Sequence, residues 1–344
     1  MKIRYVTTLN EFKSLEDKWE KLFLELNLSV FQSFEFNFFS WVQEFESNTN
    51  NKLCIVIIEK DNSICSILPL YIDSFRRLRF INDNHIDFCD ILSNVNIDIL
   101  YILENMKLNV SFLSFHFKNL KSNSLLNIFL NRKLLKYKHI NTSDIYSELK
   151  ISKGVFPNND PRFTSKYKSE FRRVKKINKE FKYKIYESIS SRLPINELTK
   201  LRDYVVSNNL RNSSFLDYNR MLLIQELYKS NKLVLSVVEK DNKIHSCSFI
   251  LKSNDNYLFW IDLYDNSKLI NVYNYISFIE LISLNKDVFI SFGRGDYSYK
   301  TKNFNPIKKK LISITIFKNN FSLLLYSFCV YVYKIVRYIY KKIM

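Results

Sequence analysis

The chain has 344 residues, 47% hydrophobic and 16% aromatic, and carries a formal charge of +18. Its length allows two domains of ordinary size, and its apolar content excludes wholesale disorder. The charge implies attraction to polyanions, whether nucleic acid, anionic lipid or phosphate-bearing substrates, without choosing among them.

In chain order, the pattern predicts a strand over Lys2 to Thr7, helices over Asn10 to Leu28 and Glu35 to Phe45, and a hairpin over Leu53 to Ile72. A basic corner (Arg76, Arg77, Arg79), a helix near Asp98 to Met106 and a strand over Val110 to Phe115 complete a first domain, residues 1–155. Residues 156–180 form a basic connector. There Ser165 to Lys179 reads as a helix, with Phe171, Val174 and Ile177 on one stripe and Lys168, Arg172, Lys175, Lys176 and Lys179 beside it. Two readings stand: a solvated bridge, or a ligand clamp in which Arg172 and Arg173 grip an oxyanion.

The second domain, 181–318, reads as a strand (Tyr183 to Glu187), two helices (Ile195 to Asn208, Leu216 to Tyr228) and three strands (Leu233 to Glu239, Ile244 to Leu251, Tyr257 to Leu263). A helix over Ile270 to Leu284 and a strand over Val288 to Phe292 follow. The order of elements repeats that of the first domain. KLCIVIIEKDNSI at Lys52 to Ile64 returns as KLVLSVVEKDNKI at Lys232 to Ile244, 180 residues later, each being strand, Asp-Asn turn and strand.

Two of the chain's three glycines, Gly293 and Gly295, fall in SFGRGDYSYK, directly after the apolar run Asp287 to Phe292. Average usage would give about 24 glycines in such a chain. A residue otherwise nearly absent is thus kept where the backbone turns sharply or approaches a ligand. The turn presents Arg294, Asp296, Tyr299 and Lys300 at the carboxyl end of a buried strand, where open α/β sheets place their ligands.

The string Phe292-Gly293-Arg294-Gly295-Asp296 with Tyr299-Lys300 resembles the "DFGRGD..YK" signature of the CelD-like branch of the GNAT acetyltransferases, tandem GNAT-like chains of cellulose and exopolysaccharide biosynthesis. Trp19-Glu20-Lys21-Leu22, Phe31-Gln32-Ser33 through Trp41, Asp87-Phe88-Cys89-Asp90, the basic helix and Tyr264-Asp265 are similar to further segments of that family. The resemblance implies a mixed α/β fold of two tandem GNAT-like domains, each a twisted sheet flanked by helices. It also implies acetyl-CoA or another acyl donor as co-substrate, held by Ser267, Lys268, Gly293 and Gly295. Two positions depart from the pattern. Ser291 stands where the family carries Asp, and Ser267-Lys268-Leu269-Ile270-Asn271 has no glycine where the family bends before its long helix. Leu269 and Ile270 crowd the approach of a pyrophosphate to the backbone, leaving Ser267 as a hydroxyl cap and Lys268 as one cation. Fem-type aminoacyl transferases share the tandem layout and use a different donor.

Acyl transfer needs a base for the acceptor's proton and an acid for the leaving group. Asp87, Asp90 and Asp296 are the candidate bases and Tyr299 the candidate acid, with Arg294, Lys300, Tyr264 and Asp265 holding an anionic or glycan substrate. Each Asp is equally suited to capping a turn or helix. His85, His116, His139 and His245 show no metal-ligand spacing, and His116 and His245 read as packed strand residues, so no metal is expected. No zinc spacing, RRM string or helix-turn-helix accompanies the basic charge, so nucleic acid is not the expected partner.

Cys54, Cys65, Cys89, Cys247 and Cys329 are scattered without a CxxC pair, as suits reduced cytoplasmic thiols. The start, MKIRYVTTLNEF, carries no secretion-signal pattern. The last segment, 319–344, holds an apolar run from Phe321 to Tyr333 that is shorter than the ~20 residues a spanning helix needs. It reads either as a helix packed on the second domain or as one lying at the inner face of the cell membrane, against lipid or a membrane glycosyltransferase. The sequence as a whole points to acyl transfer, most simply of acetyl, to a sugar or amino sugar of a cell-surface polysaccharide. Fem-type transfer and a catalytically inactive accessory subunit that binds a glycan precursor are the alternatives.

Overall fold

The computed structural model describes residues 1–45, 50–131, 138–265, 269–297 and 302–343. The chain begins β1 (Lys2–Val6), α1 (Leu9–Lys13), α2 (Glu16–Leu26), a 3-10 turn (Val30–Gln32) and α3 (Phe34–Ser40). Next come β2 (Lys52–Leu53), β3 (Ile55–Lys60), β4 (Ser63–Leu68), β5 (Leu70–Ile72), β6 (Arg77–Phe80) and β7 (Leu92–Ser93). They lead to α4 (Ile99–Asn109), β8 (Ser114–Lys121), α5 (Leu125–Asn131) and β9 (Lys138–Ile151). The second half runs α6 (Ser165–Ile177), β10 (Lys182–Tyr186), α7 (Ile195–Ser207), α8 (Tyr218–Lys229), β11 (Leu233–Lys240), β12 (Lys243–Ser253) and β13 (Asn256–Tyr264). It ends with α9 (Ile270–Ser283), β14 (Val288–Arg294), β15 (Ile307–Phe317) and α10 (Asn320–Ile343).

These elements form two compact units that do not follow chain order. The first unit holds 1–26, 48–143 and 311–344, and the second holds 27–47 and 144–310. The segment with α3 therefore belongs to the second unit, as does the end of β9, while most of β15 belongs to the first. The expected connector, 156–180, carries α6, whose Phe171 and Val174 are buried in the second unit's core.

Within the second unit the strands run β10-β11-β12-β13-β14-β9. Helices cover both faces, so β11, LVLSVVEK, is buried along nearly its whole length rather than alternating. On one face α9 lies between the sheet and α6, so most of its residues are buried rather than only one stripe. Phe259, Tyr275, Phe278, Phe292 and Phe304 form an aromatic cluster there. The other face is covered by α7 and α8. Phe31 and Phe36 meet the Trp260 ring edge-on at 6.2 and 5.7 Å, and Arg220 lies over it at 5.7 Å.

The first unit contains the order β1-β3-β4-β7 and the order β15-β8-β6-β5-β2. The repeat seen in the sequence is present residue by residue. Asp61 and Asn62 in one hairpin, and Asp241 and Asn242 in the other, all take positive φ, the pair that a two-residue type I′ turn requires. Behind each turn the ladder skips one residue, Cys65 in the first hairpin and His245 in the second, 180 positions on. Register pairs Lys2 with Glu59 in one unit and Lys182 with Glu239 in the other. In each unit one strand pair is parallel: β6 with β8, and β13 with β14.

The correspondence extends to the glycine turn. Gly293 and Gly295 take φ of 69° and 99°, as the sequence requires, but the turn is a bulge in a continuing ladder. Between Ser291 and Arg294 the register of β14 against β9 slips, and the Gly295 N–H donates to the Ile145 carbonyl at 2.7 Å. In β8 the same slip falls between Phe117 and Leu120 against β15, and Asn119 takes φ of 54°. Glycine and asparagine are the residues that accept this backbone at least cost.

Candidate active site

The second unit brings its polar side chains together through two bulges. The first, in β12, sets His245 outside the regular alternation. His245 Nδ1 lies 2.7 Å from Asp265 Oδ2, and the Asp265 N–H donates to the His245 carbonyl at 3.0 Å. Both side chains are largely but not wholly buried, and the Phe181 ring meets the imidazole edge-on at 5.1 Å. A carboxylate on Nδ1 makes that nitrogen the donor, so Nε2 is the basic nitrogen. Nε2 has no protein partner among the described residues.

The second bulge falls at Trp260, where the register against β12 jumps from Phe259 to Ile261. An extra residue inverts the alternation beyond it. Phe259 and Asp262, three apart, therefore both reach Tyr275 on α9. Asp262 accepts hydrogen bonds from the Tyr275 hydroxyl and, at 2.7 Å, from Ser248. Beside it Asn274, fully buried, bonds the Ser236 hydroxyl and lies 3.3 and 3.4 Å from Ser246 and Ser248. Ser236 also reaches the Tyr183 hydroxyl at 3.1 Å, where burial pushes that phenol well above its ordinary pKa. A buried network this fully satisfied is rigid.

Parallel strands β13 and β14 pair over only three positions, 256–258 with 289–291. Past Leu258 no register joins them, and the first residues beyond, Phe259 and Phe292, stack at 5.8 Å with their rings 9° apart. Asp265 directly follows β13, at the carboxyl end of one strand of this parting pair, and holds His245 beside it.

The expected site residues distribute as follows. Asp265 is placed with His245, and Tyr264 ends β13 beside it. Arg294 Nε lies 3.8 Å from Asp144 Oδ2. Asp296 is exposed and paired to Lys308 at 2.6 Å, which makes it a solvated ion pair rather than a desolvated base. Tyr299, Lys300, Ser267 and Lys268 lie outside the described residues. Arg172 and Arg173 are exposed on α6, with Arg173 paired to Glu170.

Asp87 and Asp90 belong to the first unit, in the excursion 81–91 that separates β6 from β7 where the second unit has only its bulge. Asp87 is buried. Asp90 accepts backbone N–H bonds from Ile91, Leu125 and Leu126 at 2.9 to 3.0 Å, so it caps α5. Although the residue as a whole is only partly buried, its carboxylate is enclosed, and desolvation outweighs those bonds to push its pKa up to about 6.

Sequence reasoning missed His245, Asp262 and Tyr275. The 180-residue repeat held a signal for the first: it aligns His245 with Cys65, a buried thiol 3.3 Å from the Ile58 carbonyl. A position that is inert in one copy and ionisable in the other is where the copies have diverged in chemistry.

Where glycine would open the backbone, Leu269 holds φ of 56° and its side chain packs on the core. A branched side chain in that conformation leaves less open backbone at the start of α9 than glycine would give an approaching anion.

No family model and no curated protein matches the sequence. Solved structures do match the fold. The C-terminal domain of an Agrobacterium fabrum protein assigned as a lysylphosphatidylglycerol synthetase aligns with TM-score 0.60 at 8% identity, over 94% of this chain and 97% of that one. FemX aligns with TM-score 0.56 at 8% identity, over 91% and 97%. A tandem GNAT protein from the clavulanic acid biosynthesis pathway aligns with TM-score 0.50 at 7% identity, over 92% and 99%. At such identities the likeness is one of fold, and the fold is mixed α/β and GNAT-like over nearly the whole chain.

Proposed function

We propose that the protein is an acyltransferase whose reacting groups belong to the second unit. The observation that carries this reading is the His245–Asp265 pair at the carboxyl end of β13, one of the parting strands. In this mechanism His245 Nε2 takes the proton from an acceptor hydroxyl or amine as its oxygen or nitrogen bonds the acyl carbon. When the tetrahedral intermediate collapses, the bond to the donor's leaving atom breaks and the imidazolium returns the proton to that atom. Asp265 stabilises the imidazolium between the two transfers. A positioned base of this kind contributes roughly 10²- to 10⁴-fold in rate.

The FGRGD and Tyr299-Lys300 string supports a CelD-like assignment, and with it a sugar or amino sugar of a cell-surface polysaccharide as acceptor. Leu269 favours a second choice of donor within the same mechanism, an aminoacyl or other acyl group not carried by CoA. Mass spectrometry of surface glycans, comparing cells with the chain, cells without it and cells carrying His245→Gln, tests the proposal. The glycan should lose an acyl mass without the chain and fail to regain it with the variant. Full restoration by a folded His245→Gln protein would refute the role given to His245. A rise in melting temperature with acetyl-CoA would restore CoA as donor, because a ligand bound only by the folded state stabilises it by mass action.

A further inference from the structure

The longest helix is not used by the chemistry above. Helix α10 has 24 residues, about 36 Å of helix. Phe321, Leu324, Phe328, Tyr331 and Ile335 repeat at alternating intervals of three and four, which puts them on one side. That side faces solvent: the first four are 70%, 61%, 66% and 64% exposed. Ser322, by contrast, is buried, and the Tyr326 ring lies 5.0 Å from Phe317 of β15, so the helix is fastened to the first unit near its start. Among the described residues no helix is long and apolar enough to cross a membrane.

We propose that α10 lies in the surface of an anionic bilayer, its apolar stripe set into the boundary between headgroups and acyl chains. Charge distinguishes this occupant from a second copy of the chain. Residues 320–344 contain Lys334, Arg337, Lys341 and Lys342 and no Asp or Glu. Two such helices packed parallel along their stripes would bring like charges together, and packed antiparallel would set those cations against an uncharged stretch, with no acid of the segment to offset them in either case. An anionic surface offsets every one, each cation near it being worth roughly fivefold in affinity. Tyr326, Tyr331, Tyr333, Tyr338 and Tyr340 give the segment the amphipathic aromatic content that suits the headgroup level. The net charge of +18 adds attraction at longer range.

The test is co-sedimentation of the full chain with phosphatidylcholine vesicles and with vesicles that also contain phosphatidylglycerol. Binding to the anionic vesicles should exceed binding to neutral ones by about tenfold or more, and should weaken as salt shortens the screening length. The double variant Leu324→Ser with Phe328→Ser should lose about tenfold or more, and Lys341→Glu with Lys342→Glu at least about 25-fold, two cations at roughly fivefold each. If the serine variant fails to fold, the charge reversal at the helix end carries the test. Equal binding to both vesicle types, or undiminished binding by the charge reversal, would overturn the proposal. So would a concentration-dependent dimer that Phe328→Ser abolishes in a chain that ignores vesicles.

Discussion

Replacing Asp90 separates a capping role from a chemical one. Asp90→Asn keeps Oδ1, which accepts from Ile91 and Leu126, and puts an amide NH₂ where Oδ2 accepts from Leu125 at 2.9 Å. One charge-assisted bond becomes a donor facing a donor, and the unpaired Leu125 N–H costs about 1–3 kcal/mol. Asp90→Ala, which removes the acceptors of all three bonds, should cost more. The assay is the urea midpoint followed by circular dichroism, at pH 4.5 and at pH 7. Burial raises the folded pKa to about 6. The unfolded carboxyl titrates near 3.9, so between these values the folded state holds more protons and stability falls as pH rises. Asp90→Asn removes that contribution. Its deficit relative to the wild type should therefore be larger at pH 4.5, where the wild-type carboxyl is protonated and unstrained by burial, than at pH 7. A variant as stable as the wild type at both pH values would refute the capping argument. Loss of transfer activity in fully folded Asp90→Asn would make Asp90 a reacting group after all.

His116 should impose the opposite slope: burial, then the Lys118 cation, lowers its pKa to about 3, so stability drops as pH falls below about 6.5 and the unfolded imidazole takes up a proton. In His116→Gln, which can still meet the Thr315 hydroxyl, the urea midpoint should lose that dependence. Gly295→Ala should destabilise by about 1–3 kcal/mol, because φ of 99° is strained for any side chain. A new Cβ would also lie 2.5 Å from the exposed Tyr297 ring, so adding Tyr297→Ala should recover the steric part alone in a double-mutant cycle. Cys54, Cys65, Cys89 and Cys247 are buried, and burial raises the Cys54 pKa to about 12. In a Cys329→Ser background a maleimide should therefore label the chain only on unfolding, and labelling of the folded protein would contradict the burial.

The hairpins were legible because an Asp-Asn pair between two apolar runs has one cheap backbone solution, and the same letters recur 180 residues on. The glycine turn was legible for the same local reason, although the sequence did not say that the ladder continues through it. Strands β9 and β15 were not foreseen. KHINTSDIYSELKI and IKKKLISITIF are polar for half their length and acquire strand identity only from distant partners. Helix α2 was read as one helix with α1, which Ser14 ends. The candidate site was partly legible: Asp265 was named, whereas its partner His245 was read as a packed strand residue, since a bulge that re-aims a side chain leaves no mark in periodicity. The tie between Asp262 and Tyr275 likewise depends on the residue inserted at Trp260.

Most of the last strand of each half of the sequence belongs to the other half's unit, and α3 belongs to the second unit as well. Neither half of the sequence therefore contains a whole unit. Residues 1–143 would lack the strand that borders β8, and residues 144–344 would lack the rings that cover Trp260. Any scheme that splits this chain for study, or joins one half to a foreign partner, has to carry residues 27–47 and 311–317 across the cut. A truncation at the midpoint would likewise leave neither unit with all of its residues.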